Sequence, residues 1–132
     1  MKKFTKMCAV AACALFAGTA TVSAEDYVWK SVTAGDATTY GIRSDGSLWS
    51  WGWNEKGQSG NGVSERTATP TLADGNRVWK KTVGGKAYGF FLAEDGSLWA
   101  AGTATNGVQG TNDGVDHKVL TRIGTDNDWA DM

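Results

Sequence analysis

The side chains that could do chemistry in this 132-residue sequence are few. There is one histidine, His117, and it follows the carboxylate-bearing stretch Asn112-Asp113-Gly114-Val115-Asp116. A histidine working as acid or base needs a positioned nucleophile or an orienting carboxylate. Nothing in the sequence supplies that constellation, so His117 reads as a solvated loop residue. Two aspartate pairs, Asp113/Asp116 and Asp126/Asp128, have the oxygen chemistry that calcium takes. Asp and Asn in Gly-rich turns more commonly cap their own backbone, and we expect that role here. The glycine-rich Gly57-Gln58-Ser59-Gly60-Asn61-Gly62 lacks the Lys-Ser/Thr and the following helix of a phosphate loop. No catalytic residue, cofactor or metal is expected. Seven tryptophans remain. A tryptophan can fill a core or present a flat face to a ligand, and only the elements that carry it decide which.

Those elements come twice. Residues 28–52, VWKSVTAGDATTYGIRSDGSLWSWG, align without a gap on 78–102, VWKKTVGGKAYGFFLAEDGSLWAAG. At this offset Trp29 falls on Trp79, Gly35 on Gly85, Tyr40 on Phe90, Ile42 on Leu92, and Trp49 on Trp99. The same step from Trp79 reaches Trp129. A long internal period fixes the architecture before any single residue does. Within each copy, Val28–Val32 and Tyr40–Arg43 are β-prone. Ser44-Asp45-Gly46 is a turn, because Asp and Gly tolerate tight-turn backbone angles. Ser47–Trp51 is the returning strand, with Leu48 and Ser50 on one face and Trp49 and Trp51 on the other. A loop of about twenty structureless residues is unusual in a compact domain. A short strand is therefore expected near Thr67–Leu72, matched by Val119–Ile123. Pro70, the single proline, suits an edge strand.

Four short antiparallel strands at this period form a β-propeller blade. The fold class is all-β: two blades of an incomplete propeller, behind a helical signal peptide. The first repeat covers 28–77 and the second 78–127, and 128–132 opens a third. Open blade faces at the ends would favour a longer propeller, a ring closed head-to-tail, or self-association. Trp29, Trp49, Trp79 and Trp99, with Ile42 and Leu92, are expected in the core. Trp51 and Trp53 fall on Ala101 and Thr103. A blade does not require tryptophan there, so these two are the candidate ligand-binding residues.

The first 24 residues read as a secretory signal. MKKFTK is basic, MCAVAACALFAGTA is apolar, and Val22-Ser23-Ala24 is the cleavage site before Glu25. The apolar run is shorter than the ~18–20 residues that span a bilayer, so no membrane span is expected after cleavage. A lipobox at Val10–Cys13 would leave too short an apolar stretch. Both cysteines, Cys8 and Cys13, lie in this segment, so the mature domain 25–132 has neither disulfide nor thiolate chemistry. Without the three leader lysines, ten basic residues stand against fourteen acidic, a net charge of −4. That balance does not favour a nucleic-acid backbone, and Lys80, Lys81 and Lys86 form only a small basic cluster. The protein is expected in the periplasm, on the cell surface or outside the cell.

WKSVTAG–TTYGIRSDGSLWSWGWNEKGQSGNG resembles the repeats of the regulator of chromosome condensation family, and Ile123–Trp129 looks like the linker of bacterial members. The resemblance covers nearly all of 28–129. It implies blades of a seven-bladed propeller. The sequence departs from the pattern at Thr38 and Tyr88, where the family usually has histidine. It also departs at Ala101-Gly102 for Trp51-Gly52, and at Gly107–Gly110 for Gly57–Gly60. Kelch and tectonin repeats are the rivals. Gly84-Gly85 hints at kelch, but the first copy has Ala34-Gly35, and tectonin repeats are shorter. The family founder exchanges guanine nucleotide on a nuclear GTPase, which an export signal argues against here. The resemblance and the export signal together imply a non-catalytic, exported interaction module for a protein or cell-surface partner. The alternative is a propeller lectin that stacks glycans on Trp51 and Trp53. Expressed in a bacterial host, the protein should leave the cytoplasm with Glu25 at its N-terminus. Intact Met1 on the exported protein would contradict the cleavage.

Overall fold

The computed structural model describes residues 27–132. The proposed signal segment, with Cys8 and Cys13, lies outside the described residues. Two four-stranded antiparallel sheets are present. The first blade is β1 (Trp29–Ala34), β2 (Thr38–Arg43), β3 (Leu48–Gly52) and β4 (Thr67–Asp74). The second is β5 (Trp79–Gly84), β6 (Tyr88–Ala93), β7 (Leu98–Gly102) and β8 (His117–Arg122). Strands lie in sequence order in each sheet, so β4, with its Pro70, is an edge strand. The strands expected near Thr67–Leu72 and Val119–Ile123 are β4 and β8. Even the irregularities repeat: the first pairing of each blade bulges after its tryptophan, at Trp29/Ser31 and at Trp79/Lys81. Among the described residues, no helix is long and apolar enough to cross a membrane.

The repeated DGSLW is a hydrogen-bond relay. Gly46 takes φ of 83° and Gly96 takes 81°, angles that other residues reach only with strain. Asp45 Oδ1 accepts from the Ser47 N–H at 3.0 Å and from the Ser47 hydroxyl at 2.6 Å. Ser47 Oγ in turn accepts the Trp49 indole N–H at 2.8 Å. Asp95, Ser97 and Trp99 repeat the chain of bonds. The turn thus aims a tryptophan along its own sheet and satisfies the polar atom of that ring.

The blades pack face to face. Tyr40, Ile42 and Leu48 of the first blade share one buried cluster with Trp79, Phe91, Ala93 and Ala101 of the second. Tyr40 and Phe91 meet edge-to-face at 5.2 Å, and Trp79 meets Phe91 at 6.1 Å. Three backbone features lock this seam. The Trp79 N–H donates to the carbonyl of Gly46 at 2.9 Å. Gly35 lies so close to Gly84 and Gly85 that a Cβ would collide with their backbone, and Asp36 N–H reaches Gly85 O at 3.2 Å. The third is the loop from Gly57 to Gly62, which crosses from the first blade to β8. Gly62 N–H donates to Lys118 O at 2.8 Å, and Asn61 bridges Val119. Tyr40, fully buried, donates its hydroxyl to Gln58 O at 2.9 Å, and burial pushes that hydroxyl's pKa well above its usual value. GQSGNG is therefore a clamp between blades.

One core expectation is corrected. Trp79, Ile42 and Leu92 are fully buried, and Trp49 and Trp99 are partly buried. Trp29, however, is 40% exposed, while its counterpart Trp79 is 0% exposed. The first blade covers Trp79, but among the described residues no sheet lies against Trp29. Trp79→Ala should therefore cost about 3–5 kcal/mol, and Trp29→Ala less than half of that. Urea unfolding of the mature chain measures both, and equal losses would contradict this assignment.

Candidate functional site

The ionisable residues come together only locally. His117 is not the solvated loop residue expected: it opens β8, its side chain is 17% exposed, and its Nε2 is 2.9 Å from Asp113 Oδ2. The other oxygen of Asp113 accepts from Val115 N–H at 3.1 Å and the Thr111 hydroxyl at 2.8 Å. Asp116 accepts from Ala104 N–H at 2.9 Å and the Thr103 hydroxyl at 3.1 Å. These bonds, the backbone donors first, hold both carboxyls below the ordinary aspartate range. Asp126 and Asp128 are exposed, and the Arg122 guanidinium binds the neighbouring Thr125 carbonyl and the Asn127 side chain. Among the described residues, no group of three or more His, Cys, Asp and Glu is placed to hold a metal. The oxygens of Asp113 and Asp116 are spent on neighbouring loop groups, on His117 of β8 and, at 3.9 Å, on Lys56 of the first blade.

Trp51 and Trp53, expected in one ligand site, lie in two separate places. Trp51 joins the exposed face of the first blade, where its ring centroid is 5.6 Å from that of Trp29. Trp29 also meets Trp49 edge-on at 6.4 Å. The Arg43 guanidinium lies 3.6 Å from the Trp49 ring centroid and 5.0 Å from that of Trp29, with Tyr27 beyond at 5.7 Å. The Trp29 ring rests on Gly41, where any Cβ would collide with it. In the second blade the matching positions are Phe91, Ala93 and Ala101 for Gly41, Arg43 and Trp51. That blade's version is covered, with the Arg77 guanidinium 4.0 Å from the Trp99 ring centroid and the Asp74 carboxylate accepting the Trp79 indole N–H. The first blade's version has its cation in Arg43 and an added tryptophan in Trp51, and among the described residues no sheet covers it.

Trp53 lies apart from this cluster. It lines a groove with Gly52, Arg66, Thr67 and Ala68. Its backbone is fixed at both ends: its N–H donates to Ala37 O at 2.8 Å, and its carbonyl accepts from the Thr38 hydroxyl. Asn54, 1% exposed, then ties the loop together by bonds to Val63 O, Glu65 O and Ser59 N–H. The sequence reading named the tryptophans at both sites but missed Arg43 and Arg66. The signal was present, since their counterparts are Ala93 and Asp116. Both arginines break the repeat, as Trp51 and Trp53 do.

Two four-stranded sheets packed face to face, with an Asp-Gly turn of one holding the first strand of the next, are neighbouring propeller blades. Models of the Regulator of chromosome condensation (RCC1) repeat match residues 29–58 and 45–92, and the chain carries repeats of that type. Human Protein RCC2 is 42% identical over 48 residues, which are 35% of this chain and 9% of the relative. The Protein RCC2 homolog of Danio rerio is 50% identical over 34 residues, 26% of this chain and 7% of the relative. Prp20p from Saccharomyces cerevisiae superimposes with a TM-score of 0.69 at 20% identity, over 79% of this chain and 27% of Prp20p. Human WBSCR16 gives 0.68 at 20%, over 80% and 27%. The chain thus spans less than a tenth of the curated relatives it matches and about a quarter of the solved structures.

Hydrogen bonding lowers the pKa of Asp95, chiefly from the Ser97 hydroxyl, and of Asp131, chiefly from Lys81, as well as those of Asp113 and Asp116. A carboxyl with a lowered folded-state pKa stabilises fully above its unfolded value and loses that contribution as pH falls through the folded one. The melting temperature should therefore hold steady down to about pH 5 and decline below about pH 4. Thermal melts across that range test this, and Asp95→Asn should shrink the decline. Stability that rises on acidification would contradict it.

Proposed function

We propose that this chain is an exported, non-catalytic interaction module whose blades bind a protein partner, and that the first-blade face left uncovered among the described residues receives a protein surface. One observation carries the reading: Trp29 is 40% exposed where its counterpart, Trp79, is completely covered. The chain holds its own template for the partner. The covered face of the second blade meets Tyr40, Ile42 and Leu48, together with the Asp74 carboxylate. Asp74 accepts the Trp79 indole N–H at 3.0 Å and pairs with Arg77 at 3.3 Å, and Arg77 stacks on Trp99 at 4.0 Å. On the open face, Arg43 stacks on Trp49, the counterpart of Trp99. Among the described residues, no carboxylate forms an ion pair with Arg43. The partner is thus a protein surface with an aliphatic strip and a carboxylate beside it. Buried aromatic and arginine anchors are what carry binding energy at interfaces.

Two of the similar structures are of one relative, yeast Prp20p, and both are described with protein partners. Prp20p is described with binding to Gsp1p and histones, and yeast RCC1 (Prp20) with Kap60 bound. Their likeness supports a protein-binding use of these blades, while the named partners stay with that relative. His117 and the aspartates around it are spent on each other and on neighbouring groups, which favours a role without catalysis. The test is crosslinking in the source cells followed by purification of the tagged mature chain. Arg43→Glu and Trp51→Ala should melt within a few degrees of the parent and lose one stoichiometric protein partner at least tenfold. Equal recovery of that partner by both variants would overturn the proposal.

A further inference from the structure

We propose that the groove between Trp53 and Arg66 is a separate site for a carboxylated sugar unit of an anionic polysaccharide. It does not rest on the docking face of the first blade. Trp51, which belongs to that face, does not line the groove.

Comparison of the two repeats shows that the blade does not need this site. Thr103 and Asp116 occupy the positions of Trp53 and Arg66 in the second repeat. There the two side chains bond to each other, Thr103 Oγ1 to Asp116 Oδ1 at 3.1 Å, and Asp116 also caps Ala104 N–H. In the second repeat these side chains are thus engaged with each other, and Lys56 of the first repeat lies 3.9 Å from Asp116. In the first repeat, the same two positions carry a half-buried indole and an exposed guanidinium. Among the described residues, Arg66 has no ion-pair partner.

The shape and chemistry of the groove select the ligand. Trp53 is held by backbone bonds at both its N–H and its carbonyl, so its main chain has little ordering left to lose on binding. Gly52 and Ala68 are small and leave the indole a low, short neighbourhood that suits one ring. A pyranose stacks its C–H face on an aromatic ring. Its carboxylate would meet the planar fork of Arg66, which matches that group in two-point geometry. The Thr67 hydroxyl, also in the groove, can exchange hydrogen bonds with sugar hydroxyls. An acidic peptide would have the same charge, but an extended segment continuing along the edge of β4 runs into Pro70, which offers no N–H to a ladder.

The test uses the mature chain with every tryptophan indole resolved by 1H–15N spectroscopy. The probes are tetragalacturonate, neutral maltotetraose and poly-glutamate. Saturable shifts of the Trp53 indole and the Arg66 guanidinium with tetragalacturonate, weakened by salt, are expected. Arg66→Gln should weaken that binding about tenfold, the loss of roughly one charge-assisted contact. Trp53→Ala should abolish it. Arg66 lies on the surface, so its variant keeps the test valid if Trp53→Ala perturbs the loop. No Trp53 shift, equal binding of maltotetraose, binding of poly-glutamate in place of tetragalacturonate, or full affinity in Arg66→Gln would each overturn the proposal.

Discussion

A blade whose two faces are both apolar has no stable surface of its own, and this constraint organises the molecule. The Tyr40, Ile42 and Leu48 face is buried only because Trp79, Phe91 and Ala93 come from the next blade. The bond from Trp79 N–H to Gly46 O fixes where that next blade starts. The same bond recurs one repeat later, from Trp129 N–H to Gly96 O at 3.2 Å. Each Asp-Gly turn therefore does two jobs. It closes its own hairpin and presents a carbonyl to its neighbour. Gly46 also has no room for a Cβ, because Val78 lies against it. This is why the chain repeats DGSLW so closely while the loops after it diverge.

Much of this was legible in the sequence, because the period and the turn chemistry are local. The strand and turn pattern of both repeats, the late strands β4 and β8, and the opposite faces of Leu48 and Trp49 follow from alternation and from Asp-Gly. Burial is different. Trp29 and Trp79 sit in nearly identical sequence, VWKS and VWKK, yet one is exposed and the other covered. A repeat reveals which face a residue occupies, but the neighbour on that face is a matter of tertiary structure. The Gly57–Gly62 clamp was hidden for a similar reason. Its partners, Lys118 and Val119, lie far along the chain, in a strand with no matching glycine pattern.

The candidate sites became visible by subtraction. Residues that break the repeat without entering the shared core are the candidates for binding, whereas Phe91, which falls on Gly41, breaks it and is buried. Trp51, Arg43, Trp53 and Arg66 are such candidates: Arg43 lies over Trp49 and Trp29, against which Trp51 packs, and Trp53 shares its groove with Arg66. Packing separates them: Trp51 leans on Trp29, whereas Trp53 follows the left-handed Gly52, at φ of 102°, into the rim groove. The sequence reading placed both tryptophans in one lectin site, and alternation along β3 gave it no reason to divide them.

Indole N–H exchange in residues 25–132 is the most direct measurement of the central claim, that among the described residues the first blade has one covered and one open face. The Trp79 indole donates to Asp74 inside the seam, at 0% exposure. Its exchange should therefore require global unfolding, while the Trp29 indole should exchange orders of magnitude faster. Equal protection of the two would show that the first blade's face is already covered and would contradict the account.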